Sequence, residues 1–245
     1  MRAEKQQTNA MDTRNHVLNG LPARDLAALS PFAMAVSLAS GDVLFEPDDA
    51  IERVYFPNTA VLSVVTIMED GRAVESDTVG CESAVGLLET LAATRAISRT
   101  FTQIPGMAIS IPAARIRQQA EANPALRAVL LRHTQANLAQ AHQSVACNAL
   151  HSVEQRLCRW LLASHDRTAN DTIHITQQYL ATMVGVQRTT VTQALHELVS
   201  ARLIRQGRGQ VQVLNRRGLE ARACECHAAL KWTLGRLVGQ PSHSG

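Results

Sequence analysis

The sequence predicts an α+β chain with an N-terminal antiparallel β-roll, one long helix, and a small C-terminal helical domain closed by a β-hairpin. Three observations carry this. Between Met34 and Ile111, short apolar or β-branched runs alternate with turn residues at a spacing of about 8 to 12. From Ala125 to Asn148 there is no Gly or Pro to break a helix. Charge is divided too: residues 1–150 carry 12 Lys+Arg against 15 Asp+Glu, and residues 151–245 carry 12 against 6.

In chain order, residues 1–30 read as a polar arm ending in a short helix, Ala23 to Ala28. Strands are expected at Val36–Leu38, Val43–Phe45, Val54–Phe56, Val61–Met68, Ala73–Thr78, Phe101–Ile104 and Met107–Ile111. Ser40-Gly41-Asp42, Pro57-Asn58, Asp70-Gly71 and Pro105-Gly106 supply turns that antiparallel neighbours need. The roll spans 31–122 and includes a short helix from Pro112 to Glu121. Asn123-Pro124 then starts a helix over 123–150, because proline fits the first helical position. Within it Leu131, Thr134, Leu138, Ala141 and Val145 recur at alternating spacings of 3 and 4, a coiled-coil seam. That pattern predicts a paired helix and hence a homodimer, although a single amphipathic helix packed on its own roll has the same spacing. His133 and His142 fall on different faces and read as dimer-surface or capping residues.

The C-terminal region divides into 151–220 and an extension over 221–245. After a helix from Val153 to Ser164, two further helices, Gln177–Met183 and Gln187 to about Ala201, meet at Gly185, with Leu180, Met183, Val191, Leu195 and Leu198 placed to be buried. That is the helix-turn-helix pattern. Thr176 and Gln177 start the first helix. The second presents Gln187, Arg188, Thr189, Thr190, Thr192 and Gln193, of which arginine can fork two hydrogen bonds to guanine and glutamine can pair with adenine. Leu203-Ile204-Arg205, a turn Gln206-Gly207-Arg208-Gly209 and Val211–Leu214 form a hairpin whose Arg205 and Arg208 suit phosphates. Eleven of the twelve C-terminal cations are Arg, the forked cation favoured for phosphate and guanine. Double-stranded DNA is therefore the expected partner.

Several classes are disfavoured. Eight aromatic residues in 245 are too few for the stacking rows of single-strand binders. No apolar stretch approaches the roughly 20 residues of a membrane span, and the first twenty residues lack the apolar core of a secretory signal, so a cytoplasmic protein without membrane contact is expected. No histidine lies between Met34 and Ile111, which argues against the His-and-carboxylate metal enzymes built on similar rolls, and no phosphate loop or nucleophile elbow occurs. No enzyme activity is expected. The five cysteines do not form a disulfide framework; Cys147 and Cys158 read as core, and Cys224, Cys226 and His227 as packing residues rather than a metal site.

The order of roll, long helix and winged helix-turn-helix resembles the Crp/Fnr family (cyclic-AMP receptor protein and fumarate-nitrate regulator), from about Leu18 to Leu219, most strongly over Ile175–Val191 and Leu203-Ile204-Arg205. The resemblance implies a cyclic-nucleotide-binding-like roll as effector domain and a one-component transcription regulator that contacts RNA polymerase if it is an activator. It implies that Arg188 reads guanine. Thr189 and Gln193 stand where the cyclic-AMP branch often has Glu and Arg, so a different operator is expected. The family's phosphate-binding turn falls on Gly80-Cys81-Glu82-Ser83-Ala84-Val85-Gly86, with Arg95 near the phosphate arginine's place. Gly80, Glu82, Ser83 and Arg95 are thus the candidate effector residues. The stretch from Glu82 to Arg95 is longer than the family's turn, and Ala96 replaces a favoured Ser, which favours another ligand, or none, over a cyclic nucleotide. Residues 1–30 contain no Cys, so the iron–sulfur centre of the oxygen-sensing branch is not expected.

Overall fold

The computed structural model describes residues 13–168 and 170–238. Residues 1–12 of the expected N-terminal arm and 239–245 of the expected extension lie outside them. Two short helices, α1 (His16–Asn19) and α2 (Ala23–Leu29), precede the roll. Its strands are β1 (Met34–Leu38), β2 (Val43–Phe45), β3 (Arg53–Pro57), β4 (Val61–Ile67) and β5 (Ala73–Val79), then, after a short helix α3 (Leu87–Ala92), β6 (Arg99–Ile104) and β7 (Gly106–Pro112). Helices α4 (Ala113–Ala122), α5 (Pro124–Leu150) and α6 (Val153–Thr168) follow. The C-terminal part comprises β8 (Thr172–His174), α7 (Gln177–Val184), α8 (Arg188–Ser200), β9 (Ile204–Gly207), β10 (Gln210–Val213), α9 (Arg216–Arg222) and α10 (Cys226–Val238). Among the described residues no helix is long and apolar enough to cross a membrane.

The roll is a pair of antiparallel sheets, β1-β7-β3 and β2-β6-β4-β5. Strand alternation sends neighbouring residues to opposite faces, and here both faces are covered. Leu62 and Ala108 point between the sheets with Leu38, Phe45 and Val79. Val54, Phe56, Ile109 and Ile111 point outward from the first sheet onto Leu18, Ile116, Leu126 and Leu130 of the helices. Val61 and Ile104 point outward from the second sheet into the core of the C-terminal domain, beside Leu161, Leu180 and Met183. The β4–β6 face therefore carries the helix-turn-helix directly, and the Phe101 and Tyr179 rings stack across that contact at 5.8 Å.

Helix α5 begins where Asn123 Oδ1 accepts the N–H groups of Ala125 and Leu126 and Pro124 takes the first position. One face, Leu126, Leu130, His133, Ala136, Gln140 and Cys147, is buried against the same chain. Leu131, Leu138 and Val145 project from another face and stay 44%, 55% and 70% exposed, flanked by half-buried Thr134 and Ala141. His133 corrects an expectation. It lies in the inward face, 2% exposed, and burial pushes its pKa down to about 4, so it is a neutral core residue. Unforeseen elements are α1, α3, α9, the strand β8 that makes the hairpin three-stranded in the order β8-β10-β9, and α10, which packs along α5.

Candidate nucleic-acid interface

Helix α7 starts at Thr176, whose side chain accepts the N–H of Tyr179, and ends at Gly185 in the left-handed conformation (φ +67°). A glycine takes that conformation without steric cost, and the chain turns at once into α8. Leu180, Ala181, Val184, Val191, Ala194, Leu195 and Leu198 are buried in the core of the domain and Met183 against the roll at Ser63 and Gln103, which fixes the opposite side of α8 outward. Gln187, Arg188, Thr189, Thr190, Thr192 and Gln193 are all exposed. Among the described residues Gln187, Arg188, Thr189, Thr190 and Arg208 have no side-chain partner. The others make only light local contacts: Thr192 Oγ1 donates to Arg188 O (2.9 Å) and lies 2.9 Å from Gln177 Oε1, Gln193 Nε2 reaches Glu197 Oε1 at 3.5 Å, and Arg205 reaches Gln212 Oε1 at 3.4 Å.

No side chain caps the first N–H groups of α8, so this helix start is open to an anion. Thr176, Gln177, Arg188, Gln206 and Arg208 line a cleft of about 460 Å³ between the two helices and the wing. The geometry offers a protruding helix start with a forked cation, a cation at the wing tip, and a groove between them.

The residues expected to hold an effector are arranged differently. Glu82 is half-buried and paired with Arg167 at the end of α6: Arg167 Nε donates to Glu82 Oε1 at 2.8 Å, and its Nη2 donates to Thr78 O (2.9 Å) and Gln140 Oε1 (3.3 Å). Gly80 donates its N–H to Glu82, and a Cβ there would fall 2.7 Å from Arg167 Cγ and Cδ, so only glycine leaves room for the arginine stem. Ser83 Oγ hydrogen-bonds Asn137 of α5. Arg95 is exposed and donates to Asp48 O at 2.7 Å. Gly80, Glu82 and Ser83 thus sit in one turn, where Gly80 N–H donates to Glu82 and Ser83 N–H to Gly80 O, while Arg95 is held apart at Asp48. Gly80 and Glu82 form a junction between the roll, α5 and α6. Gln140 donates to Asp77 and to Thr78 O there, and the cavity beside them measures about 20 Å³, room for about one water. Burial pushes both the Glu75 and Asp77 carboxyls up to about 7, against the pull of Arg167, whereas the Arg167 guanidinium holds Glu82 below the usual carboxylate range.

Sequence reasoning missed Arg167, whose helix was expected to end near it. It also placed the cysteines in the wrong company. His227 is turned away to Asp166 at 3.0 Å, while Cys224 and Cys226 lie with Cys147 and His151 at the end of α5.

Residues 155–222 match the Crp-like helix-turn-helix domain. The transcriptional regulator SdrP of Thermus thermophilus is 30% identical over 104 residues, a match that spans 40% of this chain and 52%, about half, of that protein. Among solved structures, FixK2 from Bradyrhizobium japonicum is 17% identical, with a TM-score of 0.68 over 78% of this chain and 98% of its own. A Crp/Fnr-family transcriptional regulator from Thermus thermophilus is 24% identical, with a TM-score of 0.64 over 77% of this chain and 97% of its own. These likenesses establish the cyclic-nucleotide-binding-like roll joined to a winged helix-turn-helix.

Proposed function

We propose that this chain, which joins a Crp-like helix-turn-helix domain to a fold shared with Crp/Fnr regulators, is a member of that family and a homodimeric, sequence-specific, DNA-binding transcription regulator of the cytoplasm and not an enzyme. One observation carries the reading: an arginine at the uncapped start of an outward-facing helix, without a partner among the described residues, beside a wing with a second such arginine. Charges meant for the interior are paired, and charges meant for a ligand wait for one.

In this reading two copies pair along Leu131, Thr134, Leu138, Ala141 and Val145, which covers the exposed stripe on α5. The two α8 helices then enter successive major grooves about 34 Å apart. Arg188 forks to a guanine, and Gln187, Thr189, Thr190, Thr192 and Gln193 read or brace neighbouring positions. Thr176, Gln177, Arg205 and Arg208 hold phosphates. If the protein activates, RNA polymerase is a further partner. The absence of histidine from residues 34–111 supports a non-catalytic roll.

Selection from a randomised duplex library, followed by footprinting and sedimentation of the complex, tests this. The expected result is a twofold-symmetric site with half-sites one helical turn apart, bound by two chains. A monomer indifferent to duplex sequence would overturn it.

A cyclic nucleotide at Gly80, Glu82, Ser83 and Arg95 is the second reading, favoured by position alone. It requires Glu82 to exchange Arg167 for the ligand and Arg95 to leave Asp48. Calorimetry with cyclic AMP and cyclic GMP tests it, and silence with both retires it in favour of another effector or none.

A further inference from the structure

Away from the DNA-facing surface, three cysteines and a histidine converge from distant parts of the chain. Cys147 stands in the last turn of α5 and His151 is that helix's C-cap, four residues on and so on the same side. Cys224 lies in the loop after α9 and Cys226 opens α10. Their ligand atoms all lie within 4.8 Å of one another. Cys147 Sγ is 3.5 Å from Cys224 Sγ, and Cys226 Sγ is 3.5 Å from His151 Nδ1. The three thiols are 0%, 4% and 1% exposed.

We propose that Cys147, His151, Cys224 and Cys226 bind one zinc ion in a tetrahedral Cys3His site that clamps α10 to the joint between α5 and α6. Sulfur ligands at about 2.3 Å from zinc at tetrahedral angles stand about 3.8 Å apart, near the 3.5 Å between Cys147 and Cys224 and inside the 4.8 Å that bounds the set. A four-iron cluster spreads its thiolates round a much larger body, so this set suits a single ion. The surroundings fit as well. His151 faces the ion with Nδ1 while its Nε2 meets the Glu225 carboxylate at 3.2 Å, the outer partner that fixes the tautomer of a metal-bound histidine. Gln143 Nε2 donates to Cys226 Sγ at 3.0 Å, a bond that favours thiolate. Burial and the neighbouring Cys147 thiol raise the Cys224 thiol, and metal binding is accompanied by release of the thiol protons to solvent.

His151 and Ser152 are the only residues between α5 and α6. A ligand bond at His151 therefore ties the metal to the connection along which the long helix meets the DNA-binding domain.

The test uses the full chain, without a histidine tag, purified under reducing conditions and loaded with zinc or cobalt(II). About one zinc per chain should survive gel filtration, and cobalt should give intense tetrahedral ligand-field bands with thiolate charge transfer. Cys224→Ser and Cys226→Ser should lose both signals, whereas Cys81→Ser and Cys158→Ser, outside the cluster, should keep them. The cobalt spectrum of the unaltered chain decides the matter even if a variant fails to fold. Failure to retain metal, an octahedral spectrum, uptake unchanged in the cluster variants, an iron cluster with acid-labile sulfide, or a Cys147–Cys224 disulfide found by alkylation and mass mapping would each overturn the proposal. None of these results bears on DNA binding by Arg188.

Discussion

Two arginines in the same domain illustrate opposite uses of one side chain. Arg188, at the start of α8, is exposed and has no side-chain partner among the described residues. Arg167, at the end of α6, is 9% exposed and donates to Glu82, Thr78 and Gln140. Family position alone would nominate Glu82 for a ligand and leave Arg167 unremarked. The pairing reverses that: Glu82 already has its cation, supplied by α6. The lesson concerns what remains unpaired. A buried ion pair costs several kcal/mol to open, so an effector at Gly80–Glu82 must first replace an internal partner, while DNA at α8 displaces only water.

The sharpest way to break this comparison is Arg167→Ala. It would leave Glu82 half-buried without its cation beside Glu75 and Asp77, and the expected loss is about 3–5 kcal/mol, measured as the shift of a urea unfolding midpoint. Arg167→Met combined with Glu82→Gln should recover most of it. A loss below about 1 kcal/mol would mean that water already solvates the junction and that the contrast with Arg188 is only apparent.

The same junction predicts a pH dependence. Glu75 and Asp77 are raised to about 7, above their ordinary values of 4.5 and 3.8, so the folded chain holds protons that the unfolded chain has released. Stability should therefore be greatest below about pH 3.8, as far as these two groups are concerned, and should fall as pH rises towards 7 before levelling off. The change is roughly 3 kcal/mol for Glu75 and roughly 4 kcal/mol for Asp77. Glu75→Gln, which keeps an acceptor for Ser63 and Gln103, should flatten the profile and stabilise the chain at pH 8. An unchanged slope would show that Glu75 is ionised in the folded state throughout.

On the open side, Arg188→Ala should weaken binding to the selected operator by about 1–3 kcal/mol and binding to random duplex far less, as read by titration of labelled DNA. Equal loss on both would make Arg188 a phosphate contact and not a base reader.

How far the sequence could be read follows the same division. Strands such as Val54–Phe56 and Val61–Met68 were legible because alternation and turn residues are local, and the α7–Gly185–α8 unit because burial spacing and the one glycine turn lie within 25 residues. Exposed candidates on α8 were legible for the same reason, since a helix face follows from its buried face. Arg167–Glu82 and Cys147–Cys224 were not, being 85 and 77 residues apart in sequence and brought together only by tertiary packing. His133 was misassigned because the spacing of α5 defines two apolar faces at once. Nothing local indicates which face turns inward, or that a histidine is neutral enough to go with it.

The smallest effect concerns the wing. Arg208 occupies the turn between β9 and β10, next to Gly209 at φ +68°, at the wing tip proposed to lie on phosphates. A cation that meets only backbone contributes by releasing about one condensed counterion, which enters log K as a slope in log salt and not as a sequence preference. Arg208→Ala should therefore reduce the magnitude of that slope by about 1 and weaken operator and random duplex by the same factor. Titrations at several salt concentrations measure both quantities in one series. A slope that stays the same would detach the wing from the DNA and leave α8 as the whole of the interface; a loss confined to the operator would give Arg208 the role argued here for Arg188.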